Sequence, residues 1–139
     1  MRLGLYGLLC AGKSFLLKQV KDIKVIEGSL TMKKMFPDFD NMEEKDRIDV
    51  RVKFAEWLHS EDDFIMDGHY AFGEKVVFTK EDGRLYDVFL YLYIEPKILC
   101  ERMYASKKNR KYAQLNIEDW QKFEIEQLRK YCHEHEKDF

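Results

Sequence analysis

Residues 7–14 read GLLCAGKS, between the run MRLGLY and the run FLLKQV. Gly7, Gly12, Lys13 and Ser14 fill every fixed position of the pattern G-x-x-x-x-G-K-[ST]. The pattern has a physical mechanism. Glycines let the backbone curl so that successive N–H groups point inward. A helix N-terminus then adds its dipole. Gly7, Cys10, Ala11, Gly12, Lys13, Ser14 and Phe15 form such a cradle for a nucleotide's phosphates. Lys13 reaches the β- and γ-phosphates, and the Ser14 hydroxyl ligates Mg²⁺. A random chain of this length shows the pattern on the order of once in a few hundred times.

The flanks supply the context the pattern needs. Leu3 and Leu5 alternate with small or polar residues over Arg2–Tyr6, which reads as a strand. Ser14–Val20 reads as a helix, with its apolar step at Phe15, Leu16 and Leu17. Ile23–Ile26 is a second strand. Asn41, with Glu44 three residues on, caps a helix to about His59. Its apolar stripe is Ile48, Val52, Ala55 and Leu58. Asp63–Asp67 (DFIMD) is a third strand. Val76–Thr79 and Arg84–Tyr86 flank the turn dipeptide Asp82-Gly83 and predict a small hairpin. Val88–Ile94 (VFLYLYI) is almost wholly apolar, as in a central strand buried on both faces. Pro96 starts a helix. A last helix follows Asn116, with Trp120, Phe123, Leu128 and Tyr131 on one side. Strands alternating with helices predict an α/β three-layer sandwich around a parallel sheet.

The 139 residues suit one domain, 1–139, with a lid-like segment at about 102–115. Apolar residues are 45% and charged residues 36% of the chain, a globular composition. The net charge of −2 argues against nucleic acid as a partner, since phosphate-gripping proteins carry a basic excess. No apolar run reaches membrane-spanning length. The three cysteines, Cys10, Cys100 and Cys132, are odd in number and unpatterned, which fits a reducing, cytoplasmic setting. The sequence carries nothing on oligomeric state.

Several other residues suit phosphoryl transfer. Asp67 ends the third strand. A carboxylate there holds Mg²⁺ through water, orients an acceptor, or only caps a turn with Gly68. His69 is a candidate for acceptor binding or a structural imidazole. Arg51 interrupts an apolar stripe, so it either meets an acceptor's anionic group or packs its stem on the core. Arg47, one turn away, shares the argument more weakly. Arg102 to Lys111 is a basic run suited to closing over a γ-phosphate, or to a solvated helix end. Cys132-His133-Glu134-His135 lacks a second ligand cluster and reads as a polar helix end.

In these features the chain resembles the P-loop nucleotide and small-molecule kinases. The adenylate-kinase-like group is nearest, including the small atypical adenylate kinases. Besides the loop, FIMDGHYAF resembles that group's strand ending in Asp-x-His. The order of the strand ending YIEP, the helix with Arg102 and the basic segment to Arg110 is also similar. The resemblance implies strand order 2-3-1-4-5 and γ-phosphoryl transfer from ATP with Mg²⁺ to a nucleotide or other small metabolite. It implies catalytic roles for Lys13, Asp67, Arg102 and Arg110. Lys107 and Lys108 stand where the group carries further arginines. No segment for the fifth strand follows, so the sequence is expected to be a shortened chain, one segment of a longer one, or a variant whose sheet lacks that strand. Two other functions fit a phosphate loop: an ATPase or switch acting on a macromolecule, and a polynucleotide 5′-hydroxyl kinase.

Overall fold

A computed structural model describes residues 1–139. The strands are β1 (Arg2–Tyr6), β2 (Lys24–Ile26), β3 (Phe64–Asp67), β4 (Ala71–Phe72), β5 (Lys75–Val76) and β6 (Val88–Tyr91). The helices are α1 (Lys13–Leu17), α2 (Gly28–Met35), α3 (Glu44–Leu58), α4 (Lys80–Leu85), α5 (Pro96–Ala105) and α6 (Ile117–Glu134). Short 3₁₀ turns lie at Phe39–Asn41 and Arg110–Gln114.

The main sheet is parallel, in the order β2-β3-β1-β6. Its register pairs Leu5 with both Asp67 and Leu90, so the strands end level with one another. Residues 7–14 and the loop after Asp67 therefore emerge side by side at one end of the sheet. Ligands of open α/β sheets bind at that end. This is the expected sandwich, with strand order 2-3-1-4 among the parallel strands. Beside β6, Asp138 makes a single parallel bridge to Val88. The Phe89 N–H donates to the Asp138 carbonyl at 2.9 Å.

The core is layered by the alternation of strand side chains. Phe64 and Met66 join Tyr6, Ile26, Phe54, Leu58, Leu85, Tyr86, Phe89 and Leu128 on one face. Ile65 packs with Leu5 and Leu17 on the other. A third cluster of Leu8, Ala11, Leu99, Met103, Ile117 and Trp120 supports the 7–14 loop from α5 and α6.

Four local expectations are corrected. The segment predicted as a hairpin around Asp82-Gly83 is α4. Thr79 accepts from the Asp82 N–H at 3.2 Å while the Asp82 carboxylate accepts from the Thr79 N–H at 2.8 Å. That reciprocal cap outweighs the turn preference of the dipeptide. The small hairpin lies earlier, as β4 and β5. Helix α3 begins at Glu44, with Glu43 rather than Asn41 before it, because Phe39–Asn41 forms its own turn. The helix also sits rotated from the expected stripe: Val50, Phe54, Ala55 and Leu58 are buried, whereas Ile48 is exposed. Finally, β6 is an edge strand. Phe89 is buried but Leu90 is 39% exposed, so the apolar run is not covered on both faces.

Candidate active site

The 7–14 loop is held in a tight, strained curl. Gly12 has φ 100 and Cys10 φ 66, both left-handed. At Gly12 no neighbouring atom crowds a Cβ, so backbone conformation alone asks for glycine. Cys10 pays the left-handed strain that glycine avoids, and its surroundings fix it. Arg102 of α5 donates to the Cys10 and Ala11 carbonyls at 3.2 and 3.3 Å. Asn109 donates to the Cys10 Sγ at 3.4 Å. Arg102, expected in a lid, thus braces the loop directly. Ser14 and Phe15 are exposed in the first turn of α1.

Lys13 is only 6% exposed. Its ammonium donates to the Gly7 and Leu8 carbonyls at 2.5 and 3.0 Å. Burial pulls its pKa down to about 8, opposed by the negative charges of Asp67 and Glu124. The loop therefore carries a desolvated cation, which acts more strongly on an anion than a hydrated one does.

Asp67 ends β3 beside the loop, and one of its carboxylate oxygens accepts the Gly28 N–H at 3.0 Å. That contact needs glycine at position 28, since a Cβ there would lie 2.9 Å from the Asp67 carbonyl oxygen. His69 follows. Its ring lies 4.7 Å from Phe72, and its Nδ1 is buried without a hydrogen-bond partner. Burial, with Lys13 and Lys108, pulls its pKa down to about 3, so the imidazole is neutral.

Gly28, Asp67 and His69 border a cavity of about 660 Å³. Leu9 of the loop, Asp67, Gly68 and His69 line one end. Tyr6, Phe54, Met66 and Tyr86 form an apolar floor. Lys33, Arg47, Arg51 and Lys75 bring positive charge from α2, α3 and the hairpin. Both guanidinium groups lie over the Phe39 ring, at 5.6 Å for Arg47 and 5.3 Å for Arg51. Arg47 is fixed further by donating to the Phe39 and Asp40 carbonyls at 3.2 and 2.7 Å. Arg51 makes no such bond and is partly desolvated, which lowers its pKa against the opposing charge of Glu44. Asp82 adds one carboxyl, raised by burial.

The far wall comes from the basic segment. Lys108, Asn109, Lys111 and Tyr112 line the cavity. Arg110 does not: it donates to the Tyr104 carbonyl at 2.9 Å and lies 5.4 Å over the Tyr104 ring. Lysines, not Arg110, face the cavity from this segment. The C-terminal Cys132–His135 stretch gathers no metal-type cluster. Cys132 is buried, and His135 stacks on Tyr131 at 4.0 Å.

Sequence reasoning missed Phe39, Asp82, Asn109, Tyr112 and Glu124. Glu124 is fully buried in α6. It carried a readable signal: it interrupts the stripe Trp120, Leu128 at helical spacing, as Arg51 does in α3. The others had none: Phe39, Asn109 and Tyr112 reach the site from a loop or short turn, and Asp82 from α4, which the sequence presented as a turn.

Among solved structures, shikimate kinases share this architecture. That from Bacteroides thetaiotaomicron has a TM-score of 0.55 at 16% identity, over 95% of this chain and 80% of that one. That from Aquifex aeolicus has a TM-score of 0.53 at 17% identity, over 95% and 98%. That from Acinetobacter baumannii, in complex with shikimate, has a TM-score of 0.61 at 15% identity, over 95% and 74%. No protein-family model matches the chain, and no curated protein sequence matches it. The likeness establishes the fold: an α/β P-loop kinase fold around a parallel sheet. The adenylate-kinase-like resemblance is consistent with it at that coarse level. No helix is long and apolar enough to cross a membrane.

Proposed function

We propose that the chain is an ATP-dependent kinase that transfers the γ-phosphoryl group of ATP to a small, anionic metabolite. The observation that carries this reading is the junction of two features. A phosphate loop with a buried Lys13 adjoins, through Leu9, a cationic cavity about the size of a small ligand. A switch acting on a macromolecule has no need of such a cavity. The shikimate kinase with bound shikimate supports an acceptor of metabolite size.

In this reading the loop N–H groups and Lys13 hold the β- and γ-phosphates. Arg51 has no hydrogen bond to a protein carbonyl, unlike Arg47, and is free to pair with an acceptor's carboxylate or phosphate. Mg²⁺ needs hard oxygen ligands, and the Ser14 hydroxyl with the second Asp67 oxygen provides that donor type. When bound, the ion neutralises charge on the transferring phosphates. Lys108 approaches from the segment after α5 and adds positive charge where the transferring group develops it negatively. Arg102 acts through the loop it braces. Positioning and charge supply most of the catalysis, since phosphoryl transfer asks little covalent chemistry of a protein.

A thermal-shift panel tests the reading. Nucleoside monophosphates, nucleosides, sugar phosphates and hydroxy acids are screened with Mg²⁺ and a non-hydrolysable ATP analogue. A true acceptor raises Tm beyond the analogue alone, because it binds only the folded state. It also accelerates ADP release from ATP. ADP release that no metabolite changes makes the protein an ATPase and sinks the kinase reading.

A further inference from the structure

Glu124 is the one buried carboxylate in the core, and no catalytic step uses it. Its Oε2 accepts the Trp120 indole N–H at 2.9 Å and the Ala71 N–H at 3.2 Å. Its Oε1 accepts the Tyr91 hydroxyl at 2.9 Å. Those partners span the site. Ala71 closes the loop that carries Asp67 and His69. Tyr91 pairs in register with Tyr6, the residue before the phosphate loop.

We infer that Glu124 regulates the phosphate site: its buried carboxylate ties the loop after Asp67 to β6, the strand beside β1, and its negative charge opposes that of a bound triphosphate. The inference rests on the kinase reading for the identity of the ligand. The groups facing Glu124 are Lys13 from α1, Tyr6 from β1, Tyr70 from the strand-end loop and Tyr91 from β6. The three tyrosines are pushed up by burial and stay neutral, so Lys13 is the only charge among them. Burial also raises the Glu124 carboxyl to about 7, against the lowering effect of its hydrogen bonds and Lys13. Triphosphate bound at Lys13 adds negative charge to this enclosed region and favours the protonated carboxyl. Binding therefore takes up a proton, and affinity falls as pH rises through about 7.

Glu124→Gln separates charge from scaffold. Its carbonyl oxygen can accept from Trp120 and Ala71, and its amide can donate to the Tyr91 oxygen. Calorimetric titration of the whole chain with Mg·ATP, without acceptor, in two buffers of different ionisation enthalpy counts the protons exchanged. At pH 7 the native protein should take up about half a proton more than Glu124→Gln, as expected for a half-ionised group. The variant should bind about twofold more tightly at pH 7 and equally at pH 6, a range below the titration of Lys13 at about 8, with no loss of Tm. Tyr91→Phe removes one of the hydrogen bonds that hold the Glu124 pKa down and keeps the carboxyl, so its proton uptake should persist but reach its maximum at a higher pH. Equal proton counts in the native protein and Glu124→Gln overturn the inference while leaving the kinase reading intact. A native protein that binds no Mg·ATP overturns both.

Discussion

The two ends of the site are built in opposite ways. The proposed phosphate loop is one contiguous stretch, 7–14, held by its own backbone and by Arg102 and Asn109. The cavity proposed for the acceptor draws on α2, α3, the β4–β5 hairpin and the segment after α5, which lie far apart in sequence. A contiguous site needs one local conformation. A dispersed site needs the whole fold, and each wall can vary without disturbing the others. The donor end should therefore respond to substitution as a unit, and the acceptor end wall by wall.

The largest effect tests the donor end. Lys13→Ala should lower transfer by roughly 10³-fold or more, since the loop loses its only charge on the β- and γ-phosphates. Its circular dichroism should stay native. Near-native transfer in a folded variant would break the assignment of the loop.

The next effect tests one acceptor wall. Arg51→Leu should raise the acceptor KM by about 10- to 100-fold, as expected for a lost charge-assisted hydrogen bond. The affinity for ATP should not move. A joint loss of both affinities would show that the two ends are not separable.

A third test concerns the buried charge beneath both ends. Glu124 has its folded-state pKa raised from 4.5 to about 7. A raised value favours folding fully below the unfolded-state pKa, and that contribution disappears as pH rises through about 7. Glu124→Gln should therefore gain stability over the native protein on going from pH 5 to pH 8, by about 2 kcal/mol. Urea unfolding at the two pH values measures this. A gain that is the same at both would mean the charge is not what burial penalises.

The smallest effect separates two neighbours on the last wall. Lys108→Ala should lower kcat by about tenfold, while Arg110→Ala should stay within about twofold. Steady-state kinetics with saturating ATP decides between them. The reverse order would mean that Arg110 leaves Tyr104 and turns inward during the reaction.

Legibility in the sequence followed the same division. The loop, β1, β3 and the cap of α6 at Asn116 lie where expected, because each depends on neighbours within a few residues. Arg51 could be singled out because a charge in an apolar stripe is visible at helical spacing. Arg102 and Arg110 were legible as basic residues but not in their partners. One reaches back 92 residues to the Cys10 carbonyl, and the other turns onto Tyr104. The Asp82-Gly83 turn failed because Thr79 offered a reciprocal cap, and a capped helix satisfies more backbone groups than a two-residue turn.

By itself, then, the sequence determined the tight loop at 7–14 between β1 and α1, the parallel α/β order and Asp67 at a strand end. These rest on short-range periodicity and on backbone conformations that few residues tolerate. Only the tertiary structure decided that α3 turns Arg51 toward Phe39, that lysines line the far wall, and that Glu124 lies buried between β6 and the loop after Asp67. Those outcomes depend on how helices rotate to bury their largest side chains. The choice is made by packing across the whole chain, and no local stretch encodes it.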